Sequence, residues 1–246
     1  METPTLDVTT TTDATAAQVR QRLLELLLPE LNHDINSPFS VVESTYSSVL
    51  STLALLKERQ GDSNLTSGEG EDERLGDDLA FMLDHLPQLV AGARQRAWDV
   101  KMTAEAMLAF MQDPNAERDL DEIYSLTRHL LRGYLKHRVQ LEDVPVGKDL
   151  HPAVRNTFLV LTNVLVRAGQ GALPGTAMTI AWHVEPDEAV AEIECHGAFD
   201  QAEVDSMLPL AYATETLLVS GGKLEQHESG DRRYYAVRIP LEEGCP

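Results

Sequence analysis

The chain has 246 residues, long enough for one large domain or two small ones. Its 40 acidic residues outnumber 20 basic ones, and a net charge of −20 argues against nucleic acid and anionic membrane surfaces as partners. There is no apolar run of about 18 residues and no basic-then-apolar leader, and Cys195 and Cys245 are too few for a disulfide framework, so no membrane span and a cytoplasmic location are expected.

Residues 1–14 are polar and rich in threonine, and are expected to be a disordered tail. Residues 15–114 carry two helical patterns. The first helix is expected from about Ala16 to Arg59, with an apolar seam of Leu24, Leu28, Leu31, Ile35, Val42, Val49, Leu53 and Leu56 in steps of three, four or seven. Pro29 and Pro38 each remove a backbone donor and are expected to bend or loosen it. Gly61 to Gly76 contains Gly, Ser and acidic residues and is expected to be a loop, with the acidic run Glu69–Glu73 solvated. The second seam runs Leu79, Met82, Leu86, Leu89, Ala93, Ala97, Val100, Ala104, Met107, Met111, with Pro87 in its first turns. The seams are equally long, roughly 50 Å of helix each, as an antiparallel hairpin requires. Each helix would bury only one stripe, so two hairpins are expected to pair as a dimeric four-helix bundle. A coiled-coil spacer is the other reading of such heptads.

Residues 115–246 change pattern after Asp113-Pro114-Asn115. A helix is expected over about Asp121–His137, a short strand near Val139–Val144, and a helix over about Pro152–Gln170. Met178–Val184 and Ala189–Cys195 alternate on either side of Glu185-Pro186-Asp187-Glu188 and predict a hairpin. A helix over roughly Gln201–Val219 should stop at Gly221-Gly222, and a last hairpin should join Lys223–Glu228 to Tyr234–Leu241 through Ser229-Gly230-Asp231. The fold class is therefore α+β: a helical hairpin followed by a two-layer α/β sandwich.

One hexapeptide carries chemistry: His33-Asp34-Ile35-Asn36-Ser37-Pro38. His33 is two residues from both Leu31 and Ile35, so at ~100° per residue it points ~200° away from the seam, into water. An exposed imidazole, neutral at pH 7, beside a carboxylate that can orient it is suited to accepting a phosphoryl group. Asn36 and Ser37 lie within one turn and could position a water or touch a partner. Phe39 and Val42 are expected in the core. Arg22 and Asn32 are exposed candidates for partner contact on the same helix face. His129, His137, His151 and the pair Cys195-His196 lack metal-ligand spacing, so no metal site is expected.

The whole arrangement resembles the cytoplasmic core of sensor histidine kinases, over roughly residues 16–242. His33-Asp34-x-x-x-Pro38 is similar to that family's phospho-acceptor box, which implies His33 as acceptor, Asp34 as the adjacent acid and Ser37 as the polar residue that assists dephosphorylation. The helix Leu159–Ala168 resembles the family's asparagine box, with Asn163 retained but Arg167 where a magnesium-holding Asn would stand. Cys195-His196-Gly197-Ala198-Phe199 aligns with the box that holds adenine, with Cys195 in place of the Asp and Phe199 in place of a glycine. The glycine-rich lid is missing between Phe199 and the next helix, and that helix lacks its starting Gly pair. An arginine repels Mg²⁺, and a lost adenine acceptor can cost ~2–5 kcal/mol, so no ATP binding is expected.

The resemblance is therefore nearest to bacterial histidine phosphotransferases with a vestigial ATP-binding domain, which also share the Leu173-Pro174-Gly175 turn. It implies a homodimeric phosphorelay protein that carries a phosphoryl group on His33 to or from receiver-domain aspartates. No cofactor is expected on this chain, and Mg²⁺ is expected only on the partner receiver domain. The alternatives are an active histidine kinase with a divergent nucleotide site, and a non-catalytic adaptor that binds a response regulator or a kinase.

Overall fold

The computed structural model describes residues 8–61, 69–112, 118–136, 139–140, 146–147, 149–200 and 209–242. Two long helices come first, α1 (Val8–Gly61) and α2 (Glu69–Gln112). They are followed by α3 (Leu120–Lys136), β1 (Val139–Gln140), α4 (Thr157–Gly169), β2 (Thr176–Val184), β3 (Glu188–His196), α5 (Ala211–Val219), β4 (Lys223–Ser229) and β5 (Arg232–Pro240). The order α-β-α-β-β-α-β-β in the second part is the expected one. Residues 141–145 and 201–208, where the first strand and the α5 helix were expected to extend, lie outside the described residues. Among the described residues no helix is long and apolar enough to cross a membrane.

Two expectations at the helix ends are corrected. Helix α1 begins at Val8, inside the segment expected to be a disordered tail. Extending a helix already anchored by buried Ala16 and Leu23 costs only propensity, at most about 0.7 kcal/mol per threonine. Helix α2 likewise takes in the acidic run from Glu69, expected to be a solvated loop.

The chain forms two compact units: residues 1–32 with 103–246, and residues 33–102. The division cuts the two long helices. The reason is burial: Leu23, Leu27 and Leu31 of α1 and Ala106, Ala109 and Phe110 of α2 belong to the same hydrophobic cluster as the α/β core.

In the first unit, a five-stranded sheet in the order β1-β2-β3-β5-β4 has one parallel pair, β1 with β2, and antiparallel pairs elsewhere. One sheet face is apolar: Met178 and Ile180 of β2, Ala191, Ile193 and Cys195 of β3, Tyr235, Val237 and Ile239 of β5 are all buried. Helix α4 packs on that face, flanked by α3 and α5, and every α4 residue except Arg167 is buried. Phe158 at its start meets Phe110 of α2 edge-on, with ring centroids 5.6 Å apart. Asp119 caps α3 by accepting from the Glu122 amide at 2.8 Å. Helix α5 ends as a Schellman motif: the Gly222 and Gly221 amides donate to Leu217 and Leu218, with Gly221 at φ +83°.

The seam of α1 needs correction here. The buried row is Ala16, Leu23, Leu27 and Leu31, while Leu28 of the expected seam is exposed and Leu24 only partly buried. Among the described side chains of α2 the buried ones are Thr103, Ala106, Ala109 and Phe110, and the expected Met111 is exposed.

The second unit consists of the remaining lengths of α1 and α2, His33 to Gly61 and Glu69 to Met102. Its described apolar side chains are largely uncovered in the single chain. Phe39, Tyr46 and Leu50 of α1 and Leu89, Val90 and Trp98 of α2 are exposed, and Ile35, Val42, Val49, Leu86 and Val100 are half-buried. Phe39 is thus not a core residue of one chain, contrary to expectation. A groove of about 1020 Å³ runs along α2, lined by Leu86, Val90, Ala97 and Trp98 with Arg94 and Lys101.

Candidate functional site

His33 sits on unbroken helix, so its side chain is held at a fixed angle by backbone that neither Pro29 nor Pro38 interrupts. Its side chain is 63% exposed, as the helical phase predicts. Asp34, one residue and ~100° further round, is turned inward and only 19% exposed. The His33 Nδ1 lies 3.5 Å from the Asp34 Oδ1. At that distance the carboxylate can accept from the ring nitrogen that faces it. Asn36 and Ser37 are exposed one turn on, and the Asn36 carbonyl accepts from the Ser40 hydroxyl at 3.3 Å. Arg22 and Asn32 are exposed on α1 in the first unit.

Of the residues that the resemblance would assign to a nucleotide, Arg167 and Phe199 are engaged within the chain, Cys195 is buried, and Asn163 is buried without a partner. Asn163 is fully buried, and neither its Nδ2 nor its Oδ1 has a hydrogen-bond partner. The Arg167 guanidinium binds Glu228 on β4: Nε and Nη2 both reach Oε1 at 3.1 Å, and Nη2 reaches Oε2 at 3.1 Å. The same Oε1 accepts from the buried Tyr235 hydroxyl at 2.5 Å. Burial, and then the bond to Glu228, push the Tyr235 phenol far above its ordinary value. Cys195 is wholly buried, and burial raises its thiol to about 11. His196 turns to the opposite sheet face, where its Nε2 meets Glu194 at 3.2 Å. Gly197 runs at φ +152° against β2, and a Cβ there would come within 2.8 Å of the Thr176 Cα.

Arg233 was not singled out by sequence reasoning. It pairs with Cys195 across β3 and β5, and its side chain is 4% exposed. Its Nη1 donates to the carbonyls of Arg167, Ala168 and Gln170 at 3.2, 3.3 and 2.6 Å, and its Cζ lies 3.6 Å from the centre of the Phe199 ring. A cation is suited to the negative end of a helix dipole, and a guanidinium to an aromatic face. Nothing in the sequence marks it, because the pairing of position 233 with 195 lies between the two hairpins and within neither.

These residues do not fit a magnesium nucleotide. Where the resemblance would put the metal ligand stands Arg167, bound to Glu228; where it would put the adenine acceptor stands the buried Cys195 thiol; and the Arg233 guanidinium lies against the ring of Phe199. Among the described residues no three His, Cys, Asp or Glu side chains gather as a metal site.

No protein-family model matches the chain, and no curated protein matches it. Among solved structures it is similar to the histidine kinase AdeS of Acinetobacter baumannii, at 12% identity over 86% of this chain and 98% of that one, with a TM-score of 0.36. It is similar to a bacterial phosphotransferase at 14% identity over 88% of this chain and 96% of that one, with a TM-score of 0.35. A third likeness is to the histidine kinase ThkA in complex with the response regulator TrrA, at 13% identity over 96% of this chain and 68% of that one, with a TM-score of 0.39. Likenesses at this level do not decide what the chain does, which rests on its own residues.

Proposed function

We propose that the chain is a histidine phosphotransfer protein of two-component signalling, working as a homodimer and exchanging phosphoryl groups with receiver-domain aspartates through His33. The observation that supports this reading is the pairing of an open His33 ring with an inward Asp34 at 3.5 Å. The His33 Nε2 lone pair attacks the phosphorus of an aspartyl phosphate. The bond from phosphorus to the acyl oxygen breaks, and the receiver's carboxylate leaves with that electron pair. The Nδ1 proton stays on the ring facing Asp34, which stabilises the charge that develops there. The reverse step passes the group on, and the metal the reaction needs comes with the receiver. Arg22, Asn32 and Asn36 are the proposed contacts for the receiver, and Ser37 a residue that positions water.

The dimer is supported by the uncovered apolar side chains of the second unit, which a partner hairpin would bury. A kinase reading finds no support in Arg167, Cys195 and Arg233, whose contacts leave neither metal ligand nor adenine acceptor among them. The test is label transfer. A receiver domain carrying labelled aspartyl phosphate should pass label to this protein and not to its His33→Gln variant. Absence of transfer from every cognate receiver would leave the adaptor reading in its place.

A further inference from the structure

Among the described residues, Arg233 is the one charged side chain in the buried set. It makes no ion pair there. Its charge is met instead by three carbonyls at the C-terminal end of α4 and by the face of Phe199. Burial lowers its pKa, against the opposing pull of Tyr235 and Glu228, so holding the cation there has a cost that the close fit helps to offset. The fit is that of a binding slot. One wall is an aromatic ring at stacking distance, and one edge is a fan of carbonyl acceptors at the negative pole of a helix. The guanidinium that fills it arrives on β5, a central strand of the sheet.

We propose that Phe199 and the C-terminal carbonyls of α4 form a guanidinium-binding slot that the chain fills in cis with Arg233, and that this built-in ligand keeps the α/β layer closed to planar, donor-rich molecules from outside. The slot selects for planarity and for several N–H donors in one plane, which arginine offers and lysine does not. It is independent of the chemistry at His33, so transfer to His33 neither supports nor weakens it.

The experiment is rescue of thermal stability by methylguanidinium in full-length chains. Arg233→Ala should melt below the wild type, and roughly 10 mM methylguanidinium should return a substantial part of the loss by binding the folded state alone. Arg233→Lys, whose side chain still occupies the slot, should gain nothing, and neither should the wild type. No gain in the alanine variant, or the same gain in all three proteins, overturns the proposal. Should the alanine variant fail to fold, the wild type provides the readout: the Arg233 side-chain N–H protons should exchange slowly and their guanidinium rotation be hindered, compared with exposed Arg232. Arg233 signals as fast as those of Arg232 also overturn it.

Discussion

The Nδ1 atom of His33 lies 3.5 Å from the Oδ1 atom of Asp34, although the first side chain is 63% exposed and the second only 19%. In the proposed transfer the first side chain reacts and the second holds it. Asp34→Asn keeps shape but removes the charge that orients the ring and stabilises its developing cation. It should slow phosphoryl transfer roughly tenfold to a hundredfold while leaving the helical circular dichroism unchanged, because a hydrogen bond to a charged group is worth about 1.5–3 kcal/mol and about 1.4 kcal/mol is tenfold in rate. Single-turnover transfer from a labelled receiver measures this. An Asp34→Asn protein that transfers at the wild-type rate would remove Asp34 from the mechanism.

Exposed Phe39, Tyr46 and Leu50 recur at intervals of seven and four along α1, one stripe of a helix. If a second copy covers it, Leu50→Glu should weaken the dimer on the order of a hundredfold, since an unpaired carboxylate in an apolar interface is costly. Sedimentation velocity across a concentration series would detect the change. A variant that sediments as the wild type does at every concentration would place the dimer contact elsewhere.

Glu228 serves two partners, Arg167 and the buried Tyr235 hydroxyl. Tyr235→Phe removes one hydrogen bond and should cost about 1–2 kcal/mol. Glu228→Ala strands both a guanidinium and a phenol, and should cost about 2–3 kcal/mol. Urea denaturation of the two variants gives the order, and a Tyr235→Phe protein less stable than Glu228→Ala would contradict this account of the cluster.

The Cys195 thiol is held at about 11 by burial, above its value in an unfolded chain. A thiol whose folded pKa is raised contributes stability that is full below the unfolded pKa and is lost as pH rises through the folded one. Stability should therefore decline between about pH 8.5 and 11, and less steeply in a Cys195→Ala chain. At pH 8 the folded thiol should resist iodoacetamide until denaturant is added. Rapid alkylation of Cys195 in the native protein would show the site to be open.

How much of this was legible in the sequence depended on the range of the interaction. The hairpins β2–β3 and β4–β5 were readable because alternation and turn residues are local. The exposure of His33 was readable because two flanking apolar residues fix its helical phase. Leu31 of the expected α1 seam is buried, but Leu24 and Leu28 fall one residue off the buried row, because Leu23-Leu24 and Leu26-Leu27-Leu28 offer two rows of leucine and only tertiary packing selects Leu23 and Leu27. Periodicity likewise marks Phe39 as apolar-facing without saying that a single chain leaves it uncovered. Arg233 was invisible for a different reason. In sequence it is the second of two arginines after a turn, and its role exists only once β5 pairs with β3 and α4 ends above it.

The central claim is that the phosphoryl donor to His33 is a protein aspartate and not a nucleotide. Parallel incubations of the wild type with γ-labelled Mg-ATP and with a labelled phospho-receiver, each repeated on His33→Gln, test it most directly. Acid-labile label on His33 from the receiver alone is the predicted result. Label on His33 from ATP, or label from the receiver that persists in the His33→Gln protein, would contradict it.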